Sequence, residues 1–305
     1  MKGLHRVLPF LLILMLGGPL CADALNLAPG SQYLFLGTGV REYSLGFTGY
    51  ATMDSLEGGS FNPAALGNLR RLANTLTVGG LGSDNTLFSL GFAIPTDSGV
   101  FSVAAGFLGG SDDVATGFDN VLSLSLGIAK PITENLFWGF NIKGQRVDFP
   151  TAAWGVGFDM GIIYREDEAK DTGFGFRDFS WGLTLKNIGY PLTTKEYDEF
   201  PGMGLGTGIG FSFIKAKGYT MRVLLDGTLT FLPLDFSINA GIEQTLFDMF
   251  KLRVGYLLRN KSFGLPQTGA FTFGLGVSGK LTFKEPTDID ISYALVPQNF
   301  NGKRE

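Results

Sequence analysis

The chain has 305 residues, 45 of them glycine and 28 of them phenylalanine, while only 17% of the residues are charged and the formal net charge is -4. A disordered chain would carry more charge and fewer aromatic residues, and a collagen would place glycine at every third position, so the composition excludes both classes. The slight acidic excess gives no reason to expect a nucleic acid as a partner.

The first 24 residues have the composition of a secretory signal peptide. A basic start with Lys2 and Arg6 precedes an apolar run at residues 7–16, and the sequence Ala-Asp-Ala at residues 22–24 is typical of a cleavage site. The apolar run is shorter than the roughly 20 residues that a transmembrane helix needs. We therefore predict that the chain is exported and that residues 1–24 are removed.

Loss of this peptide would remove the only histidine, His5, and the only cysteine, Cys21. Catalytic systems that need an imidazole or a thiolate and zinc sites built from His or Cys are then excluded. The sequence predicts no catalytic residues, no metal site and no cofactor, and hence a protein that is not an enzyme. Lipid attachment at Cys21 is a minor alternative, because Leu20 is bulkier than the residue usual before a lipidated cysteine.

From about residue 75 onward, apolar residues recur at every second position, which is the period of a β-strand with two different faces. In one segment the alternation runs Leu122, Leu124, Leu126 and Ile128 against Ser123, Ser125, Gly127 and Ala129. About thirteen such segments can be counted, and no amphipathic helix separates them. Parallel strands need long crossover connections, so the sheet is predicted to be antiparallel.

Two all-β architectures fit this pattern, a soluble β-sandwich and a transmembrane β-barrel. The second face of the strands carries chiefly Gly, Ser, Thr and Asn, whereas a sandwich would present a richly charged face to water. An apolar face of about 9–11 residues is also long enough to cross a bilayer at a tilt. We predict an antiparallel transmembrane β-barrel over residues 75–305, with a periplasmic sandwich or a repeat protein as the alternative.

Residues 25–74 do not share the alternation and precede the predicted barrel. Pro63 fixes its own φ angle and disfavours the helical conformation at Asn62, so the chain should change direction there. A segment of this length ahead of a barrel is often folded into the lumen. We predict that residues 25–74 do so, and we call this segment the plug.

Short motifs lie along the plug and along the predicted barrel. In the plug they are Phe35-Leu36 with Gly39 and Arg41, Leu45-Gly46, Asp54, and Asn62-Pro63-Ala64-Ala65-Leu66. In the barrel they are Leu185-Lys186-Asn187-Ile188-Gly189-Tyr190-Pro191, Arg253-Val254-Gly255-Tyr256 and Asp290-Ile291-Ser292-Tyr293-Ala294. Together these motifs resemble the FadL-type outer-membrane proteins, which include long-chain fatty acid transporters, a PorV branch associated with protein secretion, and an uncharacterised spirochaete family.

The resemblance implies a barrel of about 14 strands whose lumen is closed by an N-terminal hatch. Hydrophobic ligands would pass when the hatch moves and would leave sideways into the membrane. Carried over residue by residue, Arg41, Asn62, Pro63 and Ala64 would belong to the hatch. Two features depart from the family pattern: the chain is shorter than typical fatty acid transporters, and residues 301–305 lack the terminal aromatic residue common on bacterial barrels.

Three basic residues are predicted to face the lumen, namely Lys143, Arg222 and Arg253. A charge inside a barrel must be paired or hydrated, so acidic residues on neighbouring strands could neutralise these side chains in a structural network. Alternatively, one of the three contacts the carboxylate of a ligand. The sequence leaves both interpretations open.

The resemblance further implies a bacterial outer-membrane protein that takes up hydrophobic small molecules, such as long-chain fatty acids, through a plugged barrel. Its expected partners are outer-membrane lipids and the hydrophobic ligand. One alternative is a PorV-like scaffold that carries nothing and binds secretion-system proteins. A second alternative is an aqueous porin, against which the plug argues.

Overall fold

The structure is a computed structural model, and it describes residues 39–53, 55–81, 85–110, 120–149, 151–166, 173–193, 198–199, 203–231, 234–260, 268–282 and 286–296. The predicted signal peptide and the first part of the plug, residues 25–38, lie outside the described residues. The described part of the plug therefore begins at Gly39.

In the described residues, fourteen strands form one antiparallel sheet, which confirms the predicted all-β class. Thirteen of them pair in chain order, and the two-residue strand β8 pairs with β7 beside this path. Their bounds are β1 Ala73–Leu81, β2 Asn85–Thr96, β3 Gly99–Gly110, β4 Asn120–Pro131, β5 Leu136–Phe149, β6 Thr151–Arg165, β7 Gly173–Thr193, β8 Asp198–Glu199, β9 Gly204–Ala216, β10 Tyr219–Phe231, β11 Leu234–Leu246, β12 Phe250–Asn260, β13 Thr268–Thr282 and β14 Pro286–Leu295.

The two faces of the sheet meet different surroundings. On β4, Leu122, Leu124 and Leu126 each have more than 50% of their surface exposed, while Ser123 and Ser125 point to the inner side. The same exposed apolar rows recur on the neighbouring strands. A soluble sandwich buries its apolar face, and monomeric soluble proteins rarely expose large contiguous apolar surfaces. The outer face is therefore the lipid-facing surface of a transmembrane barrel.

From Gly39 onward, the described part of the plug contains one short α-helix, α1 at Val40–Ser44, and two 3-10 helices, η1 at Glu57–Ser60 and η2 at Pro63–Asn68. Asn62 is extended, as the following Pro63 predicts, and the chain then enters η2: the Asn62 side chain accepts a hydrogen bond from the Ala64 amide, while Pro63 occupies the first turn. Within the described ranges, no helix has both the length and the apolar character needed to cross a membrane.

The plug packs inside the curve of the sheet. Helix α1 lies against β12, β13 and β14, while η2 lies against β3 to β6. Apolar plug residues meet apolar inner-face residues near one end of the strands; these groups are Met53, Ala64 and Ala65 with Phe137 and Ile163, and Leu66 with Ala93, Val100 and Ala129. The inner face is thus apolar where Met53 and η2 pack on it.

Both edges of the sheet contact the plug. Glu57 Oε1 accepts a hydrogen bond of 2.7 Å from Thr75 Oγ1 on β1, and α1 packs against β14 at the other edge. No ladder pairs β1 with β14 within the part of the chain that the structure describes. The sheet therefore wraps around the plug, and the plug connects its two edge strands.

Glycines on the inner face make room for the backbone of the plug. A methyl group at Gly139 would overlap the backbone of Pro63 and Ala64, and one at Gly182 would overlap the carbonyl of Tyr50. By contrast, a methyl group at Gly144, on the outer face of the same strand as Gly139, would meet no atom within 4 Å. The glycine content follows in part from this close approach.

We predict that Gly139→Ala weakens docking of the plug by about 1–3 kcal/mol, the usual cost of overpacking a well-packed site. Thermal unfolding in detergent and the rate of proteolytic cleavage within residues 39–72 measure the effect. Gly144→Ala is the matched control, since it adds the same methyl group to the same strand without a clash. Equal changes in the two variants would show that Gly139 does not hold the plug.

Candidate functional site

The candidate site is the interface between the plug and the inner wall of the barrel, together with the cavity beside it. At this interface the polar groups of the plug meet charged side chains of the wall. These contacts extend from the β10–β12 side of the lumen to the β2–β5 side.

Arg41 of α1 forms the main ion pair between plug and wall. Its Nη2 and Nε lie 2.7 Å and 2.9 Å from the two carboxylate oxygens of Glu243 on β11. The Nε of Arg253, opposite Glu243 on β12, donates to the same carboxylate at 2.7 Å. Such two-pronged contacts are the strong form of an arginine–carboxylate pair. Burial opposes the charge of Arg41, yet the Glu243 carboxylate raises the pKa of this guanidinium above its ordinary value.

Asp226 on β10 holds the middle of the plug. Its buried Oδ2 accepts hydrogen bonds from the backbone amides of Gly49 at 2.6 Å and Tyr50 at 3.0 Å. The hydroxyl of Thr228, two residues along the same strand, donates to Tyr50 Oη at 3.3 Å. Buried backbone amides are costly to leave unpaired, so β10 supplies the partners that this part of the plug lacks internally.

Asn62 joins two parts of the plug to β6. Its Nδ2 donates to the carbonyls of Tyr50 and Ile162, both at 3.0 Å, and its Oδ1 accepts from the amide of Ala64 at 3.1 Å. Aspartate could not make these contacts, because it lacks the two donors. The predicted hatch residues Asn62, Pro63 and Ala64 therefore come together at one place, where they fix the direction of the chain.

A β-bulge on β7 forms a second charged cluster. The register of β6 and β7 shifts between Phe158 and Met160, and Asn187 has a positive φ of 55°. Lys143 Nζ lies 2.7 Å from the Asp159 carboxylate and donates to Asn187 Oδ1 at 2.5 Å. The Asn187 amide donates to Asp159 Oδ1 at 2.8 Å. The bulge thus aligns a lysine, a carboxylate and an amide on the inner wall.

Lys186, the residue before this bulge, reaches the plug. Its buried ammonium donates to the carbonyl of Ser60 at 3.2 Å. It also lies 5.8 Å from the ring centre of Tyr50 and 5.4 Å from that of Phe61, within the range of cation–π attraction. Lys186 and Asn187 both point inward, so the two-residue period of the strand does not predict this contact. Both residues belong to the sequence motif at residues 185–191.

A cavity of about 70 Å³ lies between the plug and the wall formed by β1 to β5. Leu56, Gly59, Ser60 and Leu66 line it from the plug, and the wall contributes a row of small polar side chains and one basic residue, Ser89, Ser102, Ser123, Ser125, Asn141 and Lys143. An apolar cavity of about 150 Å³ accommodates a benzene molecule. With the plug docked, this cavity of the described residues is smaller than that.

The three predicted basic residues lie in different surroundings. Lys143 lines the cavity, Arg253 belongs to the Arg41–Glu243 ion pair, and Arg222 donates to Ser180 Oγ at 2.8 Å on β7. The structure therefore does not bring them together at one ligand. Within the described residues, no group of three or more Asp, Glu, His or Cys side chains is placed to hold a metal ion.

Glu243, Asp226, Asp159 and Lys186 complete the interface, and the sequence did not identify them as site residues. Each of them is a charged residue in a row of inner-face positions that otherwise carries small residues, and this is the sequence feature that could have identified them.

Two solved structures align with most of this chain. A FadL homologue from Pseudomonas aeruginosa aligns with a TM-score of 0.52 and 10% sequence identity, over 86% of this chain and 90% of that chain. The toluene transporter TbuX from Ralstonia pickettii aligns with a TM-score of 0.48 and 13% identity, over 85% of this chain and 97% of that one. No family model matches the sequence, and no curated protein matches it.

The chain is a plugged antiparallel β-barrel by its sheet and its interior contacts. The alignment with the FadL homologue shows more closely that this barrel has the FadL-type fold. This confirms, for the fold, the resemblance that the short motifs indicate.

We predict that Glu243→Ala frees helix α1 from the wall. Removal of one partner leaves the charges of Arg41 and Arg253 buried, which typically costs about 3–5 kcal/mol. Hydrogen exchange of residues 39–53, followed by mass spectrometry, should show a clear loss of protection.

Asp148→Ala is the control for this variant. It breaks the Arg146–Asp148 pair, whose side chains are 43% and 32% exposed, and exposed pairs contribute at most about 1 kcal/mol. If Glu243→Ala left the exchange of residues 39–53 as slow as Asp148→Ala does, the ion pair would not be the anchor of the plug.

Proposed function

We propose that the protein carries hydrophobic small molecules across a bacterial outer membrane through the lumen of the barrel, with the plug as the gate. The observation that carries this proposal is the cavity between the plug and the wall of β1 to β5. The likeness of the fold to a FadL homologue supports it. Outer-membrane lipids surround the apolar outer face, and no enzymatic step is required.

The plug is held unequally on the two sides of the lumen. Charged and amide contacts tie it to β6, β7, β10, β11 and β12. On the β2–β4 side, Leu56 and Leu66 face small residues across the cavity. Movement of the plug there breaks fewer buried polar contacts, so a ligand passes along the β2–β4 wall.

The lining of the cavity fits a ligand that has an apolar body and one polar or anionic end. Leucine side chains of the plug face the body of such a ligand, while serine hydroxyls and Asn141 lie on the opposite wall. Lys143 is the basic residue in this lining, so it is the better candidate to contact a carboxylate than Arg222 or Arg253. A long-chain fatty acid has this chemistry.

We predict that the purified protein binds a long-chain fatty acid and that Lys143→Gln weakens this binding by roughly tenfold to a hundredfold, as expected for loss of a charge-assisted hydrogen bond. A fatty alcohol of the same length should bind equally well to both proteins, because it lacks the carboxylate. Native mass spectrometry of copurified and added lipid measures both affinities. Lys215→Gln is the control, since Lys215 pairs with Asp178 on the wall.

Other outcomes would identify another function. Large single-channel conductance in planar bilayers would mean an aqueous porin. Stable capture of secretion-system proteins by a barrel that binds neither the acid nor the alcohol would mean a PorV-like scaffold. Weakening of acid and alcohol alike by Lys143→Gln would show that Lys143 supports the wall and does not contact the carboxylate.

A further inference from the structure

Glu42 of α1 is a buried carboxyl group with an unusual surrounding. It is 0% exposed, and neither of its carboxylate oxygens has a hydrogen-bond partner among the described residues. Its neighbour Arg41 turns instead to Glu243. A buried carboxylate without hydrogen bonds is costly, whereas the protonated acid costs far less.

A second carboxyl group, Glu57 of η1, lies beside it. The two side chains meet over Gly39: a Cβ atom built on Gly39 would lie 3.1 Å from the Cβ of Glu57 and would overlap Oε2 of Glu42. One oxygen of Glu57 accepts the hydrogen bond from Thr75 on β1. Two carboxyl groups held this close cannot both ionise without mutual repulsion.

The charged groups around the Glu42–Glu57 pair form ion pairs with one another. Arg41 and Arg253 share the Glu243 carboxylate, so α1, β11 and β12 supply two positive charges and one negative charge. On β14, Asp290 pairs with Lys251 and accepts hydrogen bonds from Ser278 and Ser292. With one proton on the Glu42–Glu57 pair, this pair and the Arg41–Glu243–Arg253 group balance in charge.

The ionisation of Glu42 follows from these contacts. Burial and, after it, the neighbouring Glu57 carboxyl raise its pKa to about 7, against the lowering effect of Arg41. Burial likewise raises the pKa of Glu57, against the hydrogen bond from Thr75. When α1 leaves the wall, both groups meet water and regain ordinary values near 4.5.

We propose that Glu42 and Glu57 form a proton-binding site that couples docking of helix α1 to pH. The docked plug binds the proton more tightly than the undocked plug, so acid favours docking. This stabilisation is complete below the ordinary carboxyl value near 4.5 and is lost as the pH rises through about 7. Above that pH both carboxylates are charged while they are still buried, and helix α1 separates from strands β12, β13 and β14.

The test measures hydrogen exchange of residues 39–53 at pH 5.0 and pH 8.5, corrected for the intrinsic rate. Residues 61–69, on the other side of the plug, are the internal reference. In the native sequence, the opening equilibrium of residues 39–53 should rise by about tenfold or more between the two pH values, since each unit of pKa difference corresponds to about tenfold. The reference segment should change little.

Glu42→Gln provides the decisive comparison because the amide resembles the protonated acid. This variant should keep residues 39–53 protected at pH 8.5, and Glu57→Gln should move the midpoint to lower pH by removing the repulsion. Glu134→Gln, in the exposed turn after β4, is the matched control and should behave as the native protein does. A gel shift on heating verifies that each variant is a folded barrel.

Two results would overturn the proposal. One is protection of residues 39–53 that stays the same at both pH values in the native protein. The other is a Glu42→Gln variant that retains the native pH dependence. The experiment uses no ligand, so its failure would leave the proposed transport function standing, and failure of lipid binding would leave the pH dependence standing.

Discussion

The plug places a positive charge, Arg41, against the inner wall of the barrel, and the Glu243 carboxylate makes this arrangement stable. A buried charge needs a partner with well-aligned hydrogen bonds. Glu243 meets this need through two contacts with Arg41 and a third with Arg253. The register of β11 and β12, which places Glu243 opposite Arg253, is therefore part of what holds the plug.

The same constraint explains the asymmetry of the interior. The backbone amides of Gly49 and Tyr50 in the plug donate hydrogen bonds to Asp226 of the wall, and the side chain of Asn62 donates to a backbone carbonyl of β6. Where the wall offers mostly serine, glycine and alanine, the plug presents leucine side chains and a cavity remains. One side of the lumen holds the plug by polar contacts, and on the other side a cavity lies between the plug and the wall.

Much of the fold could be predicted from the sequence, because the environment of a strand acts on every second residue. The alternation at residues 122–129 indicates both the strand β4 and its lipid-facing side, and Pro63 predicts the extended backbone of Asn62, where the chain changes direction. Phe137 and Ile163 are harder to interpret, because they are apolar residues on the inner face. Their partners are plug residues, and a period within one strand carries no information about them.

The site could be predicted less well than the fold, for a physical reason. Arg41 and Glu243 are 202 residues apart in the chain, and their contact depends on the docking of the plug and on the register of many strands. The inward position of both Lys186 and Asn187 depends on a bulge, which interrupts the period on which the strand prediction rests. The conformation of Asn62 is easier to predict because it depends on the adjacent Pro63.

The position of Glu42 next to Arg41 links the Arg41–Glu243 ion pair to the proposed proton-binding site. If Glu42 were ionised in the docked plug, it would compete with Glu243 for the same guanidinium, and the competition would weaken the anchor. Glu243 has the advantage, since it contacts both arginines directly while Glu42 contacts neither through a hydrogen bond. The docked plug therefore excludes the charge of Glu42 in order to keep that of Glu243, and the proton on Glu42 becomes part of the anchor.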